Sequence, residues 1–249
     1  MARNSIRSWF LRKEAFMVFV LGKVVRYLFS FGFLYFLLTE TRGLIGYTSH
    51  EVLFFAATFT LIDTIAQFLF RSVYTFRQLV VTGDFDLVLL KPISPLFRSL
   101  MGGADPMDLV TIPPIIALVI YIGSFLNPTP LSIFYYILLV LNGILIYMTF
   151  HIFVLSLGVI TLEIDHTIMV FRDMASMGRL PIDIYKEPFK SLLTFVVPVG
   201  IIFSIPSKAM MGLLGPAGIF SSLLFGAALF LLSLKFWKFA LRKYTSASS

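Results

Sequence analysis

The chain has 249 residues, of which 58% are hydrophobic and 13% charged, where a soluble domain averages about 45–50% apolar and about 25% charged. A water-soluble fold needs a polar surface that this composition cannot supply, whereas a bilayer removes the need, and the length holds six spans of about 20 residues with loops. The lack of cysteine excludes disulfides, thiolate metal sites and a cysteine nucleophile.

In chain order, residues 1–15 come first, with Ile6, Trp9 and Phe10 at helical spacing among basic residues, the pattern of an interfacial helix on anionic headgroups. The apolar run 16–38 is too long for a signal-peptide core and no small-residue cleavage site follows it, so it reads as a retained first span. Further spans are predicted at 52–70, at 107–126 opening near Pro113-Pro114, and at 131–159, 189–204 and 217–236. Asn127-Pro128-Thr129-Pro130 marks a tight hairpin between the third and fourth. The expected fold is an all-α integral membrane protein, one domain over 1–249 with six transmembrane helices. Its long loops are 71–106 and 160–188.

Basic residues orient it. Arg3, Arg7, Arg12 and Lys13 precede the first span, and Arg71, Arg77, Lys91 and Arg98 lie between the second and third. Arg172, Arg179, Lys186 and Lys190 lie between the fourth and fifth, and Lys235, Lys238, Arg242 and Lys243 close the sixth. The other side has Arg42 and Lys208. The positive-inside rule therefore puts both termini and both long loops in the cytoplasm. The same distribution explains the net charge of +7 without nucleic acid.

No catalytic constellation is visible. His50, His151 and His166 form no H-E-x-x-H, and Glu163-Ile164-Asp165-His166 is the nearest approach to a metal cluster, at a helix end where polar residues are expected anyway. There is no G-x-S-x-G and no phosphate-binding P-loop, so any ATP that drives the chain binds elsewhere.

Charges within spans are costly and are functional candidates by default. Thr60, Asp63, Thr64, Gln67 and Arg71 fall on one face of the second span, which must meet the bundle, a partner or a water-filled path. Lys23 and Arg26 lie at a similar depth in the first span. Either one pairs with Asp63, or both snorkel to the headgroups while Asp63 finds a hydroxyl or water.

The loop 71–106 is the most informative stretch. Gly83 ends a helix continuing from the second span, and Asp84 or Asp86 caps a short helix over 86–90 that Pro92 and Pro95 stop. Phe85, Leu89 and Leu90 on that helix read as a docking element, or as an amphipathic segment on the membrane.

The string Gly-Asp-Phe-Asp-Leu-Val-Leu-Leu-Lys-Pro-Ile-Ser-Pro-Leu from Gly83 resembles the loop signature of ABC type-2 transporter permeases, in particular the group encoded with a second permease and an ATPase. Gly43 to Leu53 is similar to the segment opening their second span, with Tyr47 in place of the usual tryptophan. Arg179-Leu180-Pro181-Ile182-Asp183-Ile184-Tyr185, Phe195 to Pro198 and Ile205-Pro206-Ser207 are similar to their later motif, with Leu180 in place of tyrosine.

The resemblance implies a cell-membrane, multi-pass permease subunit of a bacterial or archaeal transporter, itself no enzyme. Its expected partners are a cytoplasmic ABC ATPase that carries ATP and Mg, a second permease copy or paralogue, and membrane lipid. The chain itself would bind no cofactor. Carried over by position, Gly83, Asp84, Asp86, Lys91 and Pro92, with Phe85 among them, are the candidate ATPase-coupling loop. Lys23, Arg26, Asp63 and Gln67 are the candidate intramembrane polar pair or path. Pro181, Tyr185, Pro198 and Pro206 match the later motif; the last two are bends or gates, or simple packing residues. The expected cargo is an amphipathic or hydrophobic compound moved outward. The rival readings are an ATP-independent secondary transporter or channel, and a membrane immunity or chaperone protein that binds without transport.

Overall fold

The computed structural model describes residues 13–41, 44–103, 106–161 and 165–245. The interfacial helix expected over 1–15 lies outside the described residues except for its last three, which open helix α1 (Lys13–Thr41).

Helix α2 (Ser49–Phe70) starts at a reciprocal cap: Thr48 Oγ1 accepts from Glu51 N–H, and Glu51 Oε2 accepts from Thr48 N–H at 2.7 Å. It runs through a tight 3₁₀ turn, Arg71–Thr75, into α3 (Phe76–Val81), so that Ser49–Val81 is one apolar stretch of 33 residues. Gly83 then stops it at φ +78°, a left-handed conformation that disfavours any side chain. Helix α4 (Asp84–Leu89) follows directly, with Asp84 and Asp86 in its first turn rather than capping it. Pro95 does not stop a helix. It opens α5 (Pro95–Met101), where its missing N–H costs nothing and Ser94 Oγ caps Phe97 N–H.

Helix α6 (Pro106–Ser124) contains Pro113 and Pro114 in its interior rather than at its start. Helix α7 (Pro130–Thr161), at 32 residues, is about 48 Å long and is the spine of the bundle. Its main partner is the last helix, α9 (Pro216–Lys243). Asn142 Nδ2 donates to Ser222 C=O at 2.9 Å, and a Cβ on Gly226 would sit 2.1 Å from Asn142 Oδ1. A Cβ on Gly143 would sit 2.7 Å from the Ile202 carbonyl. Small residues thus let backbones and one polar bond come together, as membrane helices require.

Among the described residues four helices are long and apolar enough to cross a bilayer: Phe16–Glu40, Ser49–Val81, Pro130–Thr161 and Pro216–Lys243. The span expected over 189–204 is not straight. Two arms, Phe189–Val196 and Gly200–Met210, meet at 77° with Pro198 in the break; counted as one span they make a fifth. Pro198 has no N–H to continue the ladder. Its carbonyl still accepts from Ile202 N–H at 2.9 Å, which starts the second arm. Pro206 lies near the start of the helical turn Ile205–Met210, within the second arm, and makes no break.

Residues 160–188 depart most from expectation. Helix α8 (Asp165–Ser176) buries Ile168, Phe171 and Ala175, one stripe at helical spacing, and Phe171 stacks on Phe150 at 4.6 Å. The chain then passes the middle of α2, where the Arg179 guanidinium lies 5.3 Å over the Phe59 ring. It reaches the start of α2, where Tyr47 OH donates to Asp183 at 2.9 Å. This stretch is therefore not a loop confined to the Arg71 end of α2; it climbs the bundle to the Tyr47 end. Its polar side faces inward to a cleft, so no apolar run marked it.

Candidate functional site

The polar face of α2 opens onto a cleft of about 530 Å³ between α1, α2 and α8. Asp63 is half buried there and is held twice: Tyr147 OH donates to Oδ1 at 3.1 Å, and Gln67 Nε2 donates to Oδ2 at 2.6 Å. Thr60 instead donates to the Ala56 carbonyl, and Thr64 lies 3.4 Å from Tyr27 OH. Arg26, Arg71, Arg172 and Arg179 line the cleft, with Asp63 and Asp173 as its carboxylates. Arg172, Asp173 and Ser176 come from the polar side of α8, opposite its buried stripe. Arg179 reaches the cleft because Gly178 packs against the second arm; a Cβ there would meet Phe203 at 2.3 Å. The contribution of α8 was not anticipated. Its signal was the alternation of Ile168, Phe171 and Ala175 with Arg172, Asp173 and Ser176.

Lys23 does not pair with Asp63. It forms an ion pair with Asp108 in the first turn of α6, their side chains 15% and 3% exposed. Asp63 has found hydroxyl and amide donors, while Asp108, buried by the packing of α6 on α1 and α2, needs a cation. Asp108 Oδ2 is buried without a hydrogen-bond partner among the described residues. Arg26 also makes no ion pair with Asp63, though the two line the same space.

At the Arg71 end the loop is anchored by an aromatic cluster. Phe85 is fully buried, edge-on to Phe76 at 5.0 Å and to Tyr244 at 5.2 Å, with Trp237 at 6.5 Å. Phe85 is thus a buried anchor, not an exposed docking residue. Tyr244 OH donates to Asp86 at 2.9 Å; burial and the neighbouring Asp86 carboxylate push the phenol up to about 12. Asp84 accepts from Thr82 Oγ1. The outward face carries Leu87, Leu90, Lys91 and Pro92, and Leu90 is 82% exposed. The end of α9 and this loop therefore form one packed platform.

At the Tyr47 end Asp183 accepts from Tyr47 OH, Lys190 (2.8 Å) and Lys208 (2.7 Å). Burial alone would raise its carboxyl, but the three donors overcome that and hold it at about 2. They tie 182–190 to the start of α2 and to the second arm. Ile182 N–H adds a bond to Ser204 Oγ at 3.1 Å, and Tyr185 OH donates back to the Met177 carbonyl. Pro181 opens the turn Ile182–Ile184 that presents Asp183.

These features belong to a multi-pass membrane protein with a polar cleft in its bundle, an anchored helical platform at one end and a polar clasp at the other. Neither the curated proteins nor the solved structures contain a match to this chain. The family described as "ABC-2 family transporter protein" matches residues 24–248, which includes the cleft, the platform and the clasp. The chain belongs to the ABC-2 transporter family and is a membrane permease component of that family.

Proposed function

We propose that the chain is the permease subunit of an ATP-driven exporter and that the α4 platform receives a separate ABC ATPase carrying ATP and Mg. The observation that carries this reading is the two-sided build of α4: Phe85 is locked into the core while Leu87 and Leu90 face outward beside Lys91. An apolar helix face fixed this firmly has a partner's groove as its natural complement. Six crossings suit the chain, with 165–180 rather than 189–204 as the fifth, the turn of Asp183 beyond its end, and the two arms re-entering from the Tyr47 end. Both termini then lie with the platform. Arg71, Arg77, Lys91 and Arg98 share that end with Lys235, Lys238, Arg242 and Lys243, which supports a cytoplasmic platform. Lys190 and Lys208 at the other end are neutralised in part by Asp183. A second permease, copy or paralogue, completes the path, and lipid covers the remaining apolar faces. ATP binding below shifts the population between two facings of the cleft.

The test is co-purification from native membranes in mild detergent, comparing the wild type with Leu87→Asp/Leu90→Asp. A P-loop ATPase should accompany the wild type and be lost from the variant, with both permeases eluting as single folded species. A stable, folded wild type that never retains an ATPase would refute the reading and leave an ATP-independent transporter or channel, or a binding protein without transport.

A further inference from the structure

Arg26, Arg172 and Arg179 make no ion pair among the described residues, although all three line one cleft with Arg71. Lys23 is excluded from this surplus because Asp108 neutralises it. Of the two carboxylates in the cleft, Asp63 is taken up by Tyr147 and Gln67. Four arginines thus face two carboxylates, Asp63 and Asp173, and an excess of cationic groups in a cleft of a membrane bundle is expensive to hold unless an anionic guest completes it. Guanidinium is the group that matches phosphate and carboxylate oxygens two at a time.

The surroundings add a second feature. Beyond Arg26 on α1, Phe29, Phe33 and Phe36 follow at +3, +7 and +10 on the same helix face, and all are exposed, at 76%, 67% and 64%. An apolar track thus leads away from the cationic cleft along the outside of α1 toward the Tyr47 end, and Phe59 and Tyr74 wall the cleft itself.

We propose that the cleft receives the headgroup of an anionic amphiphile, a phosphate- or carboxylate-bearing head on an apolar tail, with the arginines on the head and the aromatic face of α1 along the tail. This rests on the reading of the cleft as the transport path, but its test needs no ATPase. If binding is found and no ATPase is, the ATP-driven reading falls and the binding site stands.

The purified full chain is exchanged into mixed phosphatidic acid and phosphatidylcholine, and bound lipid is counted by native mass spectrometry. The wild type should retain phosphatidic acid about tenfold over phosphatidylcholine, and Arg172→Gln/Arg179→Gln should bring the two near parity. Lys238→Gln, on α9 outside the cleft, should leave the preference intact. Asp173→Asn removes a carboxylate from the cleft while leaving the arginines in place, so it should raise phosphatidic acid retention even if the double variant does not fold. Equal retention of both lipids by the wild type, or no change in Asp173→Asn, would overturn the proposal. Displacement of bound phosphatidic acid by millimolar inorganic phosphate would also overturn it, showing that a free anion is read and the tail is not.

Discussion

Replacing Asp183 by asparagine tests the clasp at the Tyr47 end. The side chain keeps its shape but loses its charge, leaving Lys208, 19% exposed, and Lys190, 36% exposed, without a counter-ion. The carboxyl is held at about 2 against an ordinary 3.8; with the partly exposed pair screened by solvent, this is worth on the order of 1 kcal/mol of stability. For a chain of this length that is roughly 2–4 °C of melting temperature. The sign with pH is fixed: a lowered carboxyl stabilises the fold above its ordinary value, and this stabilisation is lost as pH falls through about 2. Melting of the purified protein in detergent, followed by size-exclusion fluorescence from pH 8 to pH 3, should show a gap between wild type and Asp183→Asn that is constant through neutral pH and closing at the acid end. Adding Lys208→Met should recover part of the loss, because it removes the stranded ammonium. A variant that melts within about 1 °C of wild type at pH 7 would refute the argument that these charges hold the turn to the bundle.

Two other predictions separate neighbouring roles. Phe85→Ala empties a fully buried site against Phe76, Trp237 and Tyr244, and should cost about 3–5 kcal/mol by thermal or denaturant unfolding; Leu90→Ala, just past the end of the same helix and exposed, should leave the unfolding midpoint unchanged. Lys23→Met should destabilise strongly by stranding buried Asp108, on the order of 3–5 kcal/mol, while Lys23→Met/Asp108→Asn should be milder than either single change. Additive losses in that cycle would show that the two charges do not interact.

The sequence carried much of this architecture, through signals that are local. The cap at Thr48 and Glu51, the left-handed Gly83 and the break at Pro198 all depend on residue types acting within a few positions, and each lies where the local chemistry puts it. Partner choice was less legible. Lys23 was close in depth to Asp63, yet which carboxylate it meets depends on how α6 packs, and that is a three-body matter no spacing records. Phe85 looked like a docking residue because its burial partners, Trp237 and Tyr244, lie some 150 residues further along the chain. Hydropathy did not mark α8 for a simple reason. Its polar side lines the cleft and lowers the average, while the two arms after Phe189 are apolar enough to register as a span although they meet at 77°.

The segment from Asp165 to Lys190 therefore joins the three parts of the molecule. Arg172 and Arg179 give the cleft its charge, Gly178 sets the contact with the second arm, and Asp183 closes the Tyr47 end. The electrostatics along it are unequal. At Asp183 a carboxylate has three donors, so that end is satisfied as it stands. In the cleft Arg172 and Arg179 have no carboxylate partner among the described residues, and the space around them continues toward Arg71, Tyr74 and Thr75. If the cleft is the path, as proposed, a bundle with its clasp fully bonded at one end and its charged cleft leading to the other is closed toward the first and receptive from the second. Under the proposed orientation that is a state facing the cytoplasm. To open the Tyr47 end, the bonds of Asp183 must be broken or moved as a unit. The run from α2 through α3 to Gly83 reaches from that clasp to the platform, and under the proposed function it is the route by which a partner's push at α4 would act on the clasp.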